Sequence, residues 1–337
     1  MNKMKWGVVG TGYIGNIFAD CMAYVEGAEK AAVCASNIDK ANGFADKHGF
    51  EKRYDDFDKM LAEAEFDIAY IAVPNMMHYE FAMKAIDAGK HVLCEKPMAD
   101  NLWQLDDMIA KAKEKDVFLM EALWTRCFPA MRKVREWIRG GKIGQLLSVR
   151  AEFGIKANEG WQGWKAKAEY AGGAIRDVGI YTLGMAFAGY EGEYPEDIVS
   201  SMTEKFGADY HSELFLKYSG GRTAYLTNSF NMVTGHMAVF FGDEGAISCG
   251  KVWNPNYAEL FTYQGGDEFT RNSVEIFRDD HPSHGMQYEI QHVQDRIAAG
   301  YKESDLFPLA ESVAICKLTE GLRKEWGVRY SSDDPQG

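Results

Sequence analysis

His91–Asp100 reads HVLCEKPMAD, an apolar run that climbs to Cys94 and then meets Glu95, Lys96 and Pro97 in a row. An idle turn is more often built from Gly, Asn, Asp or Ser. An acid and a base at a strand end are groups that can hold or move a proton. Pro97 biases Lys96 toward extended geometry. Neighbouring side chains on a strand point to opposite faces, so Glu95 and Lys96 need not pair and one can face a ligand.

A second grouping is VVGTGYIG, which supplies Gly10, Gly12 and Gly15 in GxGxxG spacing around Tyr13 and Ile14. It follows the first apolar run directly and opens the first helix, which is the context that gives the motif meaning. Gly10 allows a tight turn, Gly12 lets a pyrophosphate approach the backbone, and Gly15 lets helix and strand pack closely. The helix N-terminus then faces the phosphates. The second strand ends at Ser36 and Asn37, with Lys40 one helical turn on. An NAD site usually carries Asp or Glu at that tip. None stands there, so the expected cofactor is NADP, with NAD as the other possibility. A lysine beside an oxidised nicotinamide feels a positive ring and partial burial, and both lower its pKa toward a useful range.

A third grouping is AGGAIRDVGIYTLG, in which Asp177 and Tyr181 stand at i and i+4 of an expected helix, on one face. Tyr can donate a proton to a carbonyl, and Asp can orient a hydroxyl or the lysine. The residues alone leave open a packed Tyr181 and a surface Asp177.

The elements that must position these groups change along the chain. KWGVVG, AAVCAS, Lys52–Tyr54, Asp67–Val73, HVLC and Val117–Met120 read as six strands with helical crossovers, which predicts a doubly wound parallel sheet. Ligands bind outside the carboxyl ends of such strands. Glu95-Lys96-Pro97 lies at one such end, Pro74-Asn75 at another, and Glu121-Ala122-Leu123-Trp124 at a third. Between Leu146 and Phe277 most runs read as strands, interrupted by a helix near Ala174–Ala188. That predicts a second, α+β domain with an open, mostly antiparallel sheet. Two helices, near Met286–Ala299 and Leu309–Trp326, follow. A chain of 337 residues is long for one core. The expected division is a dinucleotide-binding domain over 1–124, a substrate-binding and dimerisation domain over 125–330, and a loose tail over 331–337.

Composition is that of a soluble globular protein, with 46% hydrophobic and 26% charged residues. The net charge of −13 and the absence of a basic run speak against nucleic-acid and anionic-membrane partners. Six scattered cysteines without CxxC spacing read as reduced thiols of a cytoplasmic protein, with no metal expected. No apolar stretch reaches the length of a membrane span, and the N-terminus enters a strand at once.

GTGYIG, IAVPNMMHYEFAMKAIDAGKHVLCEKP and GGAIRDVGIY together resemble the Gfo/Idh/MocA family, the glucose–fructose oxidoreductase and inositol dehydrogenase group. EALWTRCFP resembles the branch containing dihydrodiol dehydrogenases and NADP-dependent xylose dehydrogenases. The resemblance covers nearly the whole chain. It implies a hydride transfer between a nicotinamide and a hydroxyl or carbonyl carbon of a sugar, cyclic polyol or trans-dihydrodiol. It places the acid/base group on Lys96 and the partner motif on Asp177 and Tyr181. It places the surroundings of the nicotinamide ribose on Pro74, Asn75, His78 and Glu95. Trp124 and Phe153 then become candidates for an apolar floor under a small-molecule substrate, and Trp161, Trp164 and Trp253 further ones. A homodimer through the second sheet is also implied. Two departures stand out: NADP-using members often carry Arg where this chain has Asn37, and an Asn-Pro or Asp-Pro pair where it has Lys167-Ala168. Other outcomes known for such folds are a glycosidase cycle with transient oxidation and a nucleotide sensor without catalysis.

Overall fold

Short runs of β-branched and small apolar residues build the first sheet. Its strands are β1 (Met4–Val9), β2 (Ala28–Cys34), β3 (Lys52–Tyr54), β4 (Ile68–Ile71), β5 (His91–Glu95) and β6 (Leu119–Ala122). They alternate with α1 (Tyr13–Cys21), α2 (Ile38–His48), α3 (Phe57–Glu63), α4 (His78–Asp87) and α5 (Leu102–Glu114). Every pairing is parallel, in the order β3-β2-β1-β4-β5-β6. The order reverses between β1 and β4, and their carboxyl ends flank the crevice in which doubly wound sheets bind ligands. One face carries Val9, Ala69, Ile71, Val92, Cys94 and Leu119, packed under Ala82, Ile86, Leu105 and Met108 of α4 and α5. The other carries Trp6 and Tyr70. Phe18 of α1 stacks on Tyr70 with ring centroids 3.6 Å apart and meets Trp6 edge-on. This is the computed structural model of the chain, and it describes residues 3–263 and 270–333.

The second sheet contains β7 (Leu146–Gly154), β8 (Asp197–Lys205), β9 (Ala208–Lys217), β10 (Thr223–Ser229), β11 (Met237–Gly242), β12 (Gly245–Gly250), β13 (Tyr257–Thr262) and β14 (Asn272–Arg278). Their order is β14-β13-β12-β11-β7-β10-β9-β8, antiparallel except where β7 meets β10. The helices between them are α6 (Pro129–Arg139), α7 (Glu159–Trp164), α8 (Ala174–Asp177) and α9 (Gly179–Gly189). α6, α8 and α9 pack on one face, where Val149, Leu214, Leu226, Phe240 and Ile247 are fully buried. On the opposite face a single cross-strand row runs Ile276, Glu259, Ser248, Val239, Arg150, Tyr225, Phe215, Val199.

The last helices are α10 (Gln287–Ala298) and α11 (Leu309–Glu325). Here the units depart from the sequence expectation. Unit 1 comprises Met1–Trp124, Pro282–Cys316 and Ser332–Gly337, and unit 2 comprises Thr125–His281 and Lys317–Ser331. The reason is long-range packing. Trp6 donates its indole N–H to Gln294 at 3.0 Å, Gln294 donates to the Glu26 carbonyl, and Leu119 N–H bonds the Lys302 carbonyl. Leu309, Val313 and Cys316 pack against the core under α4 and α5. Nor is Ser332 a loose end: its carbonyl accepts from Asn101 at 2.6 Å and from Trp103 at 3.1 Å, and its hydroxyl donates to Asp100. Residues 334–337 of the expected tail lie outside the described residues.

Candidate active site

The glycine loop leaves β1 with little freedom at two of its three glycines. Gly10 has φ +109°, and a Cβ there would stand 2.3 Å from the Ala72 carbonyl oxygen. A Cβ at Gly15 would stand 2.3 Å from the Gly10 oxygen. At Gly12 nothing lies within 4 Å of that position, and Gly12 caps α1 without any side-chain cap. The loop therefore closes on itself at its ends and is open in the middle, facing the first N–H groups of α1. A pyrophosphate fits that arrangement. Tyr13 beside it is 81% exposed, and Ile14 is half-buried.

At the tip of β2 the side chain of Asn37 accepts from Lys40 N–H at 2.9 Å and caps α2. The Lys40 ammonium donates to Ser36 Oγ at 3.1 Å. Ser36, Asn37 and Lys40 are exposed. A hydroxyl and an ammonium thus stand where a ribose-binding carboxylate is usual. Pro74 is exposed and opens the turn Asn75–Met77 after β4, with Asn75 half-buried.

Glu95 faces the Tyr70 side of the sheet. Its Oε1 accepts from the Tyr70 hydroxyl at 2.5 Å and its Oε2 from Lys96 N–H at 3.2 Å. It is buried, as is Glu121, which accepts from Met98 N–H at 3.0 Å. His78 is 1% exposed, with Nδ1 2.8 Å from the Pro97 oxygen and Nε2 2.9 Å from the Val73 oxygen. Both partners are carbonyls, so both contacts are hydrogen bonds only when both ring nitrogens carry protons. Glu95 ends β5, and through these bonds Glu95 and His78, two of the residues expected around the nicotinamide ribose, hold the backbone on either side of Lys96. Lys96 itself is half-buried, and its peptide bond to Pro97 is cis. Burial pushes the Tyr70 phenol up, with the charge of Glu95 adding to it. Glu289 of α10 is fully buried, and its carboxyl is raised well above the ordinary range by burial first and then by Glu95.

In unit 2 the expected single helix is broken. Val178 has φ −104° and ψ −32°, so Asp177 ends α8 and Tyr181 lies in the first turn of α9. Gly179 allows the break to sit against Asn228, whose Cγ would be 3.1 Å from a Cβ there. Thr182 then donates to Asn228 Oδ1 at 2.6 Å. Asp177 is nearly buried and pairs through Oδ1 with the Lys165 ammonium at 3.3 Å. Tyr181 meets Phe153 at 5.7 Å between centroids, and Phe153 stacks on Trp253 at 4.6 Å. His236 packs edge-on against both Phe153 and Trp253 and lies against the Gly154 carbonyl through Nε2 at 2.5 Å. Asp177, Tyr181 and Phe153 thus share unit 2, whereas Lys96 and the buried Trp124 belong to unit 1. Trp164 is exposed, and the Trp161 side chain lies outside the described residues. Nothing in the sequence marks Lys165 or His236, because both lie in loops without periodicity.

A half-buried amine at a strand tip, a phenol, and a carboxylate paired with an ammonium are the groups of general acid–base chemistry. The glycine loop on a doubly wound sheet defines unit 1 as a nucleotide-binding domain. Comparison with known proteins gives the class. Residues 4–123 match the oxidoreductase family with an NAD-binding Rossmann fold, and residues 131–248 match the GFO/IDH/MocA C-terminal domain. Trans-1,2-dihydrobenzene-1,2-diol dehydrogenase of Mus musculus is 33% identical over 98% of this chain and 99% of its own length. The same enzyme of Homo sapiens is 32% identical over 98% and 99%. Among solved structures, aldose-aldose oxidoreductase from Caulobacter crescentus, complexed with glycerol, superposes with a TM-score of 0.85 at 23% identity, over 96% of this chain and 97% of that one. A levoglucosan dehydrogenase in complex with NADH and levoglucosan gives a TM-score of 0.87 at 18% identity, over 97% and 98%. The chain belongs to the GFO/IDH/MocA family of NAD(P)-binding oxidoreductases.

Proposed function

We propose that this enzyme works on a sugar, a cyclic polyol or a trans-dihydrodiol, at a carbon bearing a hydroxyl or a carbonyl. The observation that carries the reading is a glycine loop open only at Gly12, on the same sheet edge as a braced, half-buried Lys96. A bound nicotinamide dinucleotide supplies or accepts the hydride. Gly10–Gly15 cradles the pyrophosphate, and Pro74 and Asn75 bound the ribose. Ser36 and Lys40 face the adenosine ribose; the tip of β2 carries Ser36 and Asn37 in place of a carboxylate that would repel a 2′-phosphate, and the nearest acid in sequence, Asp39, stands within the first turn of α2. That supports NADP as the preferred cofactor and NAD as the second. Lys96 and Tyr181 hold the proton that leaves or enters the substrate oxygen. Asp177, fixed by Lys165, orients that oxygen. Phe153, stacked on Trp253 in unit 2, supplies apolar surface for a ring, and Trp124 of unit 1 remains a separate candidate for such a surface.

The substrate class is supported by relatives named for a dihydrodiol and by fold neighbours named for sugars. The open face of the second sheet supports a homodimer, and the scattered thiols, none in a disulfide, support a cytoplasmic setting. The test is a panel of sugars, cyclic polyols and trans-dihydrodiols offered with NADP and with NAD, followed at the reduced-nicotinamide absorbance. Turnover of at least one class is expected, with kcat/KM higher for NADP. A purified enzyme that binds nucleotide but turns over none of the three classes contradicts the proposal.

A further inference from the structure

The segment that carries Asp177 is fastened at its start by groups that do no chemistry of their own. Ala171 has φ +53° and Gly173 φ +137°, so two of the three residues leading into α8 sit in the backbone region that favours glycine. A Cβ at Gly172 would stand 2.4 Å from the Lys165 oxygen, and one at Gly173 2.3 Å from Asp209 Oδ1. Such a turn holds its shape only if its surroundings impose it.

The surroundings are buried and charged. Asp209 is fully buried near the start of β9 and accepts from Ile175 N–H through Oδ2 at 2.6 Å. Tyr330 donates its hydroxyl to the Gly172 oxygen at 2.6 Å. The Arg323 guanidinium lies 3.8 Å from the centre of the Tyr330 ring and that of Arg176 5.3 Å from it. Arg323, Arg176 and Tyr330 are all buried. Ala171 packs with Val328 and Tyr330 in one apolar cluster. On the far side of the same turn, Gly172 and Gly173 donate to the Lys167 and Lys165 carbonyls, and Lys165 reaches Asp177.

We propose that Asp209 and Tyr330 are positioning residues for Asp177 and Tyr181, holding the Gly172–Ile175 backbone while Arg176 and Arg323 join them into one clamp. The inference rests on the reading of Asp177 and Tyr181 given above. It assigns a task to the last turns of unit 2, residues 317–331, which touch that turn through Tyr330 and Val328. Burial lifts the Asp209 carboxyl to about 6 against the opposing pull of Ile175 N–H and the two arginines. A carboxyl kept at such a cost is one whose acceptor the fold uses.

The clamp acts on geometry, so its loss should appear in kcat and leave nucleotide binding alone. Tyr330→Phe removes one hydroxyl and keeps the ring under both arginines. Asp209→Asn keeps an acceptor for Ile175 N–H and removes the charge. Measured together with wild type and Asp177→Asn are kcat and KM on a turned-over substrate, the NADPH dissociation constant and the thermal midpoint. Tyr330→Phe should lower kcat roughly tenfold to a hundredfold, since small misplacements of reacting groups act on that scale. Its NADPH dissociation constant and KM should stay within about twofold of wild type by the same argument. Asp209→Asn should fall on the same side, by more or by less; should it fail to fold, Tyr330→Phe decides. Wild-type kcat in Tyr330→Phe, with Asp177→Asn inactive, overturns the clamp and leaves the reading of Asp177 standing. Normal turnover in Asp177→Asn overturns both.

Discussion

Lys96 is set apart from an ordinary surface lysine by what holds its backbone. Glu95 bonds its N–H, His78 holds the Pro97 carbonyl, and Glu121 holds the Met98 N–H. If it passes the proton, Lys96→Met should cost roughly a hundredfold to ten-thousandfold in rate. Nucleotide affinity should change little, because the glycine loop acts independently of it. Near-normal turnover in the variant would reduce Lys96 to a cofactor contact. Tyr181→Phe should also slow turnover, with Lys96 and Asp177 covering part of the loss. Glu289 gives a second prediction at this scale. Neither of its oxygens has a hydrogen-bond partner among the described residues, and its folded pKa lies well above the usual value of 4.5. The native state therefore holds this proton more tightly than the unfolded chain does. The stability it confers is complete below about 4.5 and is lost as pH rises through the raised value. Glu289→Gln should flatten the decline in unfolding free energy measured by urea titration from weakly acid to alkaline pH. An unchanged slope would show that Glu289 is ionised in the folded protein. In the sequence Glu289 looks like one more charge on an amphipathic helix; only the packing of α10 reveals that it faces inward.

At the scale of elements, β1, its loop and α1 act as one device, and its glycines separate shape from binding. Gly15→Ala meets the Gly10 backbone and should destabilise the fold by about 1–3 kcal/mol in chemical denaturation. Gly12→Ala meets nothing, so the apo-protein should melt as wild type does while losing affinity for NADP and NAD alike. Equal nucleotide affinity in Gly12→Ala would place the pyrophosphate elsewhere. Asn37→Asp tests α2 in the same spirit. An Asp can cap the helix as Asn37 does, so the change adds a charge with little else. NADP affinity should fall and NAD affinity should hold or rise, measured by titration of fluorescence. These elements were legible because their apolar runs are continuous and a GxGxxG stood between the right neighbours. The break between α8 and α9 was not. AIRDVGIYTLG keeps a helical pattern throughout, and the side chain packed against Gly179 at the break is that of Asn228, about fifty residues on, which no local period records. Asp177 and Tyr181 stand out in the sequence as residue types, but the geometry that relates them does not.

For the whole molecule, residue spacing located the change from parallel to antiparallel sheet but not the units. Trp6 and Gln294 are 288 positions apart, and nothing in the pattern of α10 says which sheet it covers. The proposed dimer belongs to this scale too. The row from Ile276 to Val199 crosses all eight strands on the face opposite α9, and Val199, Tyr225 and Ile276 in it are about half exposed, at 53%, 47% and 52%. Three exposed apolar side chains along one sheet face support the proposed association through it. Arg150 stands mid-row with its guanidinium 5.6 Å from the Phe241 ring, so even the charge at the centre is laid against an aromatic. A two-fold dimer presents the same surface from both subunits, so one substitution enters the interface twice. Tyr225→Glu would bring two carboxylates into it, close to Glu213, whose side chain bonds Thr227 on the neighbouring strand. Wild type should scatter light as a dimer at micromolar concentration, and Tyr225→Glu should shift it toward monomer. The parallel sheet of unit 1 contributes nothing to that row, so NADPH affinity should survive the change. A monomeric wild type, or a Tyr225→Glu protein that remains dimeric, would rule this face out as the interface.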